Sequence, residues 1–214
     1  MNLTEKLQSF YNKGIDQRPN DQLKIMETSA KELLTNKIGK FALKVGDKLP
    51  AFKLNNATGK SIDIYDCLNQ GPLVINFYRG AWCPYCNLEL QAYEEILPEI
   101  KAHGANLLAI SPELPDTSLT LIAKHSLGFE ILTDTDNSIA KELGIVFKLD
   151  KELLALYKSW GIDLDTAQGN KNGELPLPAT FVVDTNGIVI LADVNIDYTK
   201  RLEPSDAVAA LANL

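Results

Sequence analysis

Cys83-Pro84-Tyr85-Cys86 sets two thiols three residues apart, a spacing suited to redox chemistry. A thiolate attacks disulfide sulfur or peroxide oxygen, and a second thiol within reach closes the oxidised sulfur into a disulfide. The pair falls within Arg79-Gly80-Ala81-Trp82-Cys83-Pro84-Tyr85-Cys86, where an apolar strand pattern gives way to a helical one. A thiol at a helix N-terminus faces unpaired N–H groups and the positive end of the dipole, and both favour the thiolate. Cys83 stands at that start and is expected to be the more exposed, nucleophilic thiol. Cys86, one turn on, is its expected disulfide partner. A zinc half-site is the competing use, but it needs two further ligands, and Cys67, His103 and His125 offer no metal-type spacing.

Neighbouring residues carry secondary expectations. Arg79, one of only three arginines, precedes Cys83 by four positions. It is expected to reach the thiolate and polarise a substrate oxygen; its structural alternative is a strand-end residue paired with a carboxylate. Trp82 is read either as packing or as a lid beside the sulfur, and Tyr85 as a surface or partner-facing residue of the turn. Cys67 reads as a small buried hydrophobe. Pro178 precedes Ala179-Thr180-Phe181, and a cis bond there would bring a backbone edge to the dithiol, so Trp82 and Pro178 are the expected substrate contacts.

The elements that would position these groups follow from periodicity. Apolar residues recur at helical spacing from Leu3 to Lys37, interrupted at Arg18-Pro19-Asn20-Asp21, which predicts two helices with Asn20 or Asp21 as the second cap. Val45–Pro50 reads as a linker, giving a helical extension over 1–44 and a second unit over 45–214. Phe52, Leu54, Ile62 and Ile64 alternate around Asn56-Ala57-Thr58-Gly59, a hairpin pattern. Leu73–Tyr78 and Leu107–Ile110 read as buried strands. Cys86–His103 is helical by period, with Pro98 expected to kink it or end its regular part. A helix near Ser118–His125, a strand at Phe129–Leu132 and a helix near Ser138–Leu143 follow. Asp163–Glu174, rich in Asp, Asn and Gly, reads as a long mobile loop. Phe181–Val183 and Ile188–Ile190 flank an Asp184-Thr185-Asn186-Gly187 turn, and Pro204–Leu211 closes the chain as a helix. Alternating strands and helices predict an α/β sandwich with a mixed central sheet.

Composition narrows the class. At 214 residues, with 45% hydrophobic and 23% charged residues, the chain can bury a core without disulfides or metals. Three cysteines are too few for a disulfide scaffold. Twenty-eight acids against 21 bases leave a net charge of −7, which argues against nucleic acid as a partner. Residues 1–48 nonetheless carry nine Lys/Arg against six Asp/Glu, interspersed as on a solvated helix face. No apolar stretch approaches a membrane span, and the polar Met1–Tyr11 lacks a signal-peptide core, so the expectation is a cytoplasmic protein without membrane contact.

From Lys44 to Leu214 the chain resembles the peroxiredoxin superfamily, specifically the alkyl-hydroperoxide-reductase/thiol-specific-antioxidant branch and a subgroup carrying CxxC. Val45-Gly46-Asp47-Lys48-Leu49-Pro50-Ala51-Phe52 is similar to the family's opening, and Phe77–Cys86 to the subgroup's signature. Ala109-Ile110-Ser111-Pro112 and Leu132-Thr133-Asp134 are similar to its middle strands. The resemblance implies a thioredoxin fold: a three-layer α/β/α sandwich, here with an N-terminal helical extension. Ordinary members follow the aromatic pair with Pro, then Thr or Ser, then the peroxidatic cysteine; those slots hold Arg79, Cys83 and Cys86. Thus the alignment points to Cys86 as nucleophile, and the logic of the CxxC turn to Cys83. The family's late arginine is replaced by Pro178, which is similar to the cis-proline of thioredoxin-like oxidoreductases. The implied activity is a thiol peroxidase acting on hydrogen peroxide or organic hydroperoxides without a cofactor, recycled by a thioredoxin- or glutaredoxin-type donor. The alternatives are a protein thiol-disulfide oxidoreductase and a non-enzymatic redox-sensing module. The apolar face of the N-terminal helices is open to a homodimer contact or to covering the domain's own sheet.

Overall fold

The computed structural model describes residues 1–15 and 17–214. Helices α1 (Leu3–Ile15) and α2 (Asn20–Thr35) lead into β1 (Lys53–Asn56), β2 (Ser61–Asp63), α3 (Ile64–Leu68) and β3 (Leu73–Phe77). Then come α4 (Pro84–Glu95), α5 (Leu97–Ala102), β4 (Asn106–Ser111), α6 (Pro115–His125) and β5 (Glu130–Thr133). The remainder is α7 (Ser138–Glu142), β6 (Val146–Lys148), α8 (Lys151–Ser159), α9 (Leu164–Gln168), β7 (Glu174–Pro176), β8 (Ala179–Val183), β9 (Val189–Val194) and α10 (Pro204–Leu211).

Seven strands form one mixed sheet in the order β2-β1-β5-β4-β3-β8-β9. β3, β4 and β5 run parallel, because α4–α5 and α6 carry the chain back across the sheet between them. β8 returns antiparallel beside β3, with Thr180 opposite Asn76 and Ala179 opposite Phe77. Every residue of β3 is buried, as expected for a central strand covered on both faces. Its period of two sends Leu73, Ile75 and Phe77 into one apolar layer and Val74 into the layer that packs with Tyr78, Cys83, Cys86 and Leu90. The arrangement is the predicted α/β/α sandwich with a mixed sheet.

Several local expectations change. Asn20 is the first residue of α2 rather than a cap; Pro19 takes the cap position, and its ring carries no hydrogen-bonding group to cap the helix. The helix after Cys83 is two helices parted at Ile96, because Pro98 has no N–H to continue the ladder and instead sits in the first turn of α5. The 163–174 segment is not a loop throughout. Asp163 accepts from the Thr166 amide and caps α9, while β7 pairs antiparallel with β6. Elements of five and three residues show almost no period; burial of Leu164 and Leu175 in the core fixes them. The Val45–Pro50 stretch is tied to β9 by the bond from Gly46 N to Val189 O and the Lys48–Ile188 bridge.

The N-terminal helices lie on the body. Leu3 and Leu7 of α1 are buried with α4 residues, and Glu203 accepts from the Leu3 and Thr4 amides at the free N-terminus of α1. Each such buried leucine contributes roughly 1.5–3 kcal/mol of apolar burial. α2 packs against α8, where Trp160 Nε1 donates to Gln22 Oε1 at 3.1 Å. Among the described residues, no helix is long and apolar enough to cross a membrane.

Candidate active site

β3 ends at Phe77, and the chain turns through Gly80 to start α4. Cys83 is the N-cap residue (φ −90°, ψ 111°), Pro84 opens the helix with its fixed φ and no N–H to satisfy, and Cys86 lies in the first turn. Both cysteines carry free thiols and are 0% exposed, which corrects the expectation that Cys83 is the exposed one. The cause is a roof of aromatic residues that the sequence pattern does not reveal. Trp82 packs at 5.5 Å on Tyr157, which stacks on Trp160. Tyr85, read from sequence as a surface residue, is 2% exposed and held edge-on between Phe10 of α1 and Tyr198.

Arg79 is drawn to the dithiol. Its Nη2 donates to Cys83 Sγ at 3.0 Å and its Nη1 to Tyr157 Oη at 3.0 Å, while the guanidinium lies 4.2 Å from the Tyr198 ring centre. Burial pushes the Cys83 thiol up, but the Cys86 S–H, Arg79 and Arg201 outweigh it and hold Cys83 well below the usual thiol range. Burial and the Cys83 thiolate push Cys86 well above that range. The arrangement therefore favours one negative charge, on Cys83.

Behind Cys86 lies a buried polar layer that sequence reasoning missed. Arg201, from the loop before α10, brings Nη2 to 3.5 Å from Cys86 Sγ and Nε to 2.6 Å from Glu89 Oε2. The Arg201 and Glu89 side chains are each 1% exposed. Asn76 donates to Glu89 Oε1 at 2.8 Å and to Thr180 Oγ1 at 3.1 Å, the two strand residues being register partners. Burial raises the Glu89 carboxyl to about 7 despite Arg201. Two signals were available: Arg201 is one of three arginines, and Glu89 sits three residues after Cys86 on the same helical face.

Glu113 supports the turn from the other side, accepting from the Ala81 amide at 2.6 Å; burial raises its carboxyl to about 7. No cis peptide occurs among the described residues, so Pro178 is trans; it lines a cavity that Arg79 also lines. Cys67, read as a buried hydrophobe, is half-buried and separate from the dithiol layer.

A dithiol at a strand-to-helix turn on this sheet defines a thiol redox protein of the thioredoxin fold. The sequence profile of the AhpC/TSA family matches residues 45–192, and the chain belongs to that family. The chain is 27% identical over 154 residues to Rv2521 of Mycobacterium tuberculosis, named as a peroxiredoxin, covering 72% of this chain and 87% of that one. With peroxiredoxin Bcp of Escherichia coli it shares 30% identity over 103 residues, 48% of this chain and 65% of Bcp. The crystal structure of peroxidoxin BcpB from Mycobacterium tuberculosis has the same fold, with a TM-score of 0.64 at 21% identity, covering 80% of this chain and 98% of that one.

Proposed function

We propose that this peroxiredoxin-family thiol peroxidase uses Cys83 as its nucleophile, Cys86 to resolve and Arg79 to stabilise the leaving oxygen. The observation that carries the assignment is the 3.0 Å contact between Arg79 Nη2 and Cys83 Sγ, together with the downward shift of that thiol. Cys83 thiolate attacks the outer oxygen of the peroxide: an S–O bond forms, the O–O bond breaks, and sulfur is oxidised to the sulfenic acid. The departing oxygen takes a proton and leaves as alcohol or water, its developing charge facing the Arg79 guanidinium and the amides at the start of α4. Cys86 then attacks the sulfenic sulfur, forming the disulfide and releasing water. Arg201 beside Cys86 favours its thiolate once Cys83 no longer carries the charge, and Glu89 takes the proton. An external dithiol of the thioredoxin or glutaredoxin type returns the pair to thiols. We place this activity in the cytoplasm, where such donors keep thiols reduced. In the same reading, residues 1–44 form an extension whose apolar residues cover the body.

Stopped-flow oxidation of the reduced protein by hydrogen peroxide tests the roles. Fast reaction in wild type and Cys86→Ser, with none in Cys83→Ser, supports them. The reverse pattern assigns the attack to Cys86, the slot the family alignment favours.

A further inference from the structure

The turn from Arg79 to Cys83 lies beyond the end of β3, and side chains hold its middle. Cys83 N donates to Gly80 O at 3.1 Å. Between them, Ala81 N donates to Glu113 Oε2 at 2.6 Å, and Ala81 O accepts from Asn87 Nδ2 at 2.9 Å. Glu113 comes from the loop between β4 and α6, which is itself fixed. Its amide donates to Ser111 Oγ at 3.3 Å, and the Leu114 amide donates to Ala167 O at 3.0 Å. Glu113 is 1% exposed, and no ion pair among the described residues includes it. In so dry a site its hydrogen bond is strong, and leaving the Ala81 amide unpaired is costly.

What the turn carries links that bond to the chemistry. Trp82 follows Ala81, and its ring centre lies 5.1 Å from the Arg79 guanidinium and 5.5 Å from the Tyr157 ring. Tyr157 Oη in turn accepts from Arg79 Nη1 at 3.0 Å. Trp82 Nε1 is buried without a partner and stands, like the Glu113 carboxyl, over Gly80, where an added Cβ would meet both. Ala81 is thus the midpoint between the guanidinium and the sulfur, and a shift at its amide moves one against the other.

We propose that Glu113 is a positioning residue for the nucleophile: by accepting from Ala81 it fixes the turn that stacks Trp82 on Arg79 and aims Arg79 at Cys83. This rests on Cys83 being the nucleophile of the proposed cycle and adds the residue that sets its geometry. Three observations support it: the short bond to the middle of the turn, the anchored loop that delivers the carboxyl, and the direct contact of Arg79 Nη2 with Cys83 Sγ at 3.0 Å. Glu113 acts through reach, by placing an oxygen on the Ala81 amide. Charge is the competing route, because Cys86 raises the Glu113 carboxyl after burial does. The two routes shift Cys83 in opposite directions. A lost brace loosens Arg79 and raises the thiol, whereas a removed carboxylate lowers it.

The test measures iodoacetamide alkylation against pH in the full-length protein carrying Cys67→Ala and Cys86→Ser, where Cys83 is the one remaining thiol. Three variants are made on it, each checked by thermal melting. Glu113→Gln keeps an acceptor at the same reach and removes the charge. Glu113→Asp keeps the charge and withdraws it by one methylene. Glu113→Leu keeps the size without an acceptor, and stands in should the Asp variant fail to fold. The expected result is an alkylation midpoint unmoved in Gln and raised by about one pH unit in Asp and Leu, a roughly tenfold loss of thiolate below the midpoint. Unmoved midpoints in every folded variant overturn the proposal. So does a midpoint lowered in Gln and Leu and spared in Asp, which assigns the effect to charge. Iodoacetamide takes the place of peroxide, so the two readings fail separately: a wild type that reduces no peroxide overturns the peroxidase reading alone.

Discussion

The Arg201 guanidinium lies 3.5 Å from Cys86 Sγ although 115 residues separate the two in the chain, and Arg79 bonds Cys83 from four residues away. Each thiol thus has its own cation, one local and one brought by the fold. In the proposed mechanism the charge passes from one sulfur to the other, and the two guanidiniums would act in sequence, Arg79 on attack and Arg201 on resolution.

Arg79→Met is expected to raise the Cys83 thiol pKa and slow peroxide reduction by roughly a hundredfold, as losing a charge-stabilising donor does. Disulfide reduction by the same variant is expected to suffer less, because its leaving group is a thiolate. Parallel peroxide and insulin-reduction assays check this, and equal losses in both would sink the leaving-oxygen role.

Trapping separates the two thiols. Cys86→Ser should accumulate a sulfenic acid that reacts with dimedone, visible by mass spectrometry, while Cys83→Ser gives no adduct. Cys67→Ala should turn over near the wild-type rate; a tenfold loss would bring Cys67 into the cycle.

Glu89→Gln is expected to leave the first oxidation step fast and slow disulfide formation, removing an ionisation near pH 7 from the resolution rate. Rapid-mixing measurements of the second phase from pH 5.5 to 8.5 read this out; an unchanged profile assigns Glu89 to structure alone. Arg201→Met should be harsher, destabilising the protein by about 3–5 kcal/mol because it leaves a buried carboxylate unpaired.

Stability should fall as pH rises from about 4.5 to 7. Glu89 and Glu113 are each raised from 4.5 to about 7, so across that window the folded chain holds protons that the unfolded chain has released. Each carboxyl contributes a slope of up to about 1.4 kcal/mol per pH unit. Urea unfolding at pH 5 and pH 7 measures it, and Glu113→Gln should flatten the dependence; a wild-type curve rising with pH would contradict it.

Gly80→Ala should displace the turn that carries the dithiol. Gly80 has φ 150°, and an added Cβ would meet the Trp82 indole nitrogen and stand 2.8 Å from the Glu113 carboxylate. The expected cost is about 1–3 kcal/mol, with a loss of peroxidase rate larger than that of an Ala81→Ser control. Thermal melts and turnover on both variants decide it.

Residues 73–86 made the buried strand, the turn and the dithiol-bearing helix legible, because hydrophobic period and a proline at a helix start are local properties of the chain. Arg79 was legible as well, since four residues bridge a strand end and a helix cap. The tertiary structure alone decided that Cys83 is buried, because its roof comes from Phe10, Tyr157 and Tyr198, scattered over the whole chain. It also decided the Arg201–Glu89–Asn76 layer and the bond from Ala81 to Glu113, which need β3, α4 and the loops before α6 and α10 to meet. Short-range spacing names the atoms that react; the field and the walls around them are sums over distant residues, fixed only when the sheet brings those residues together.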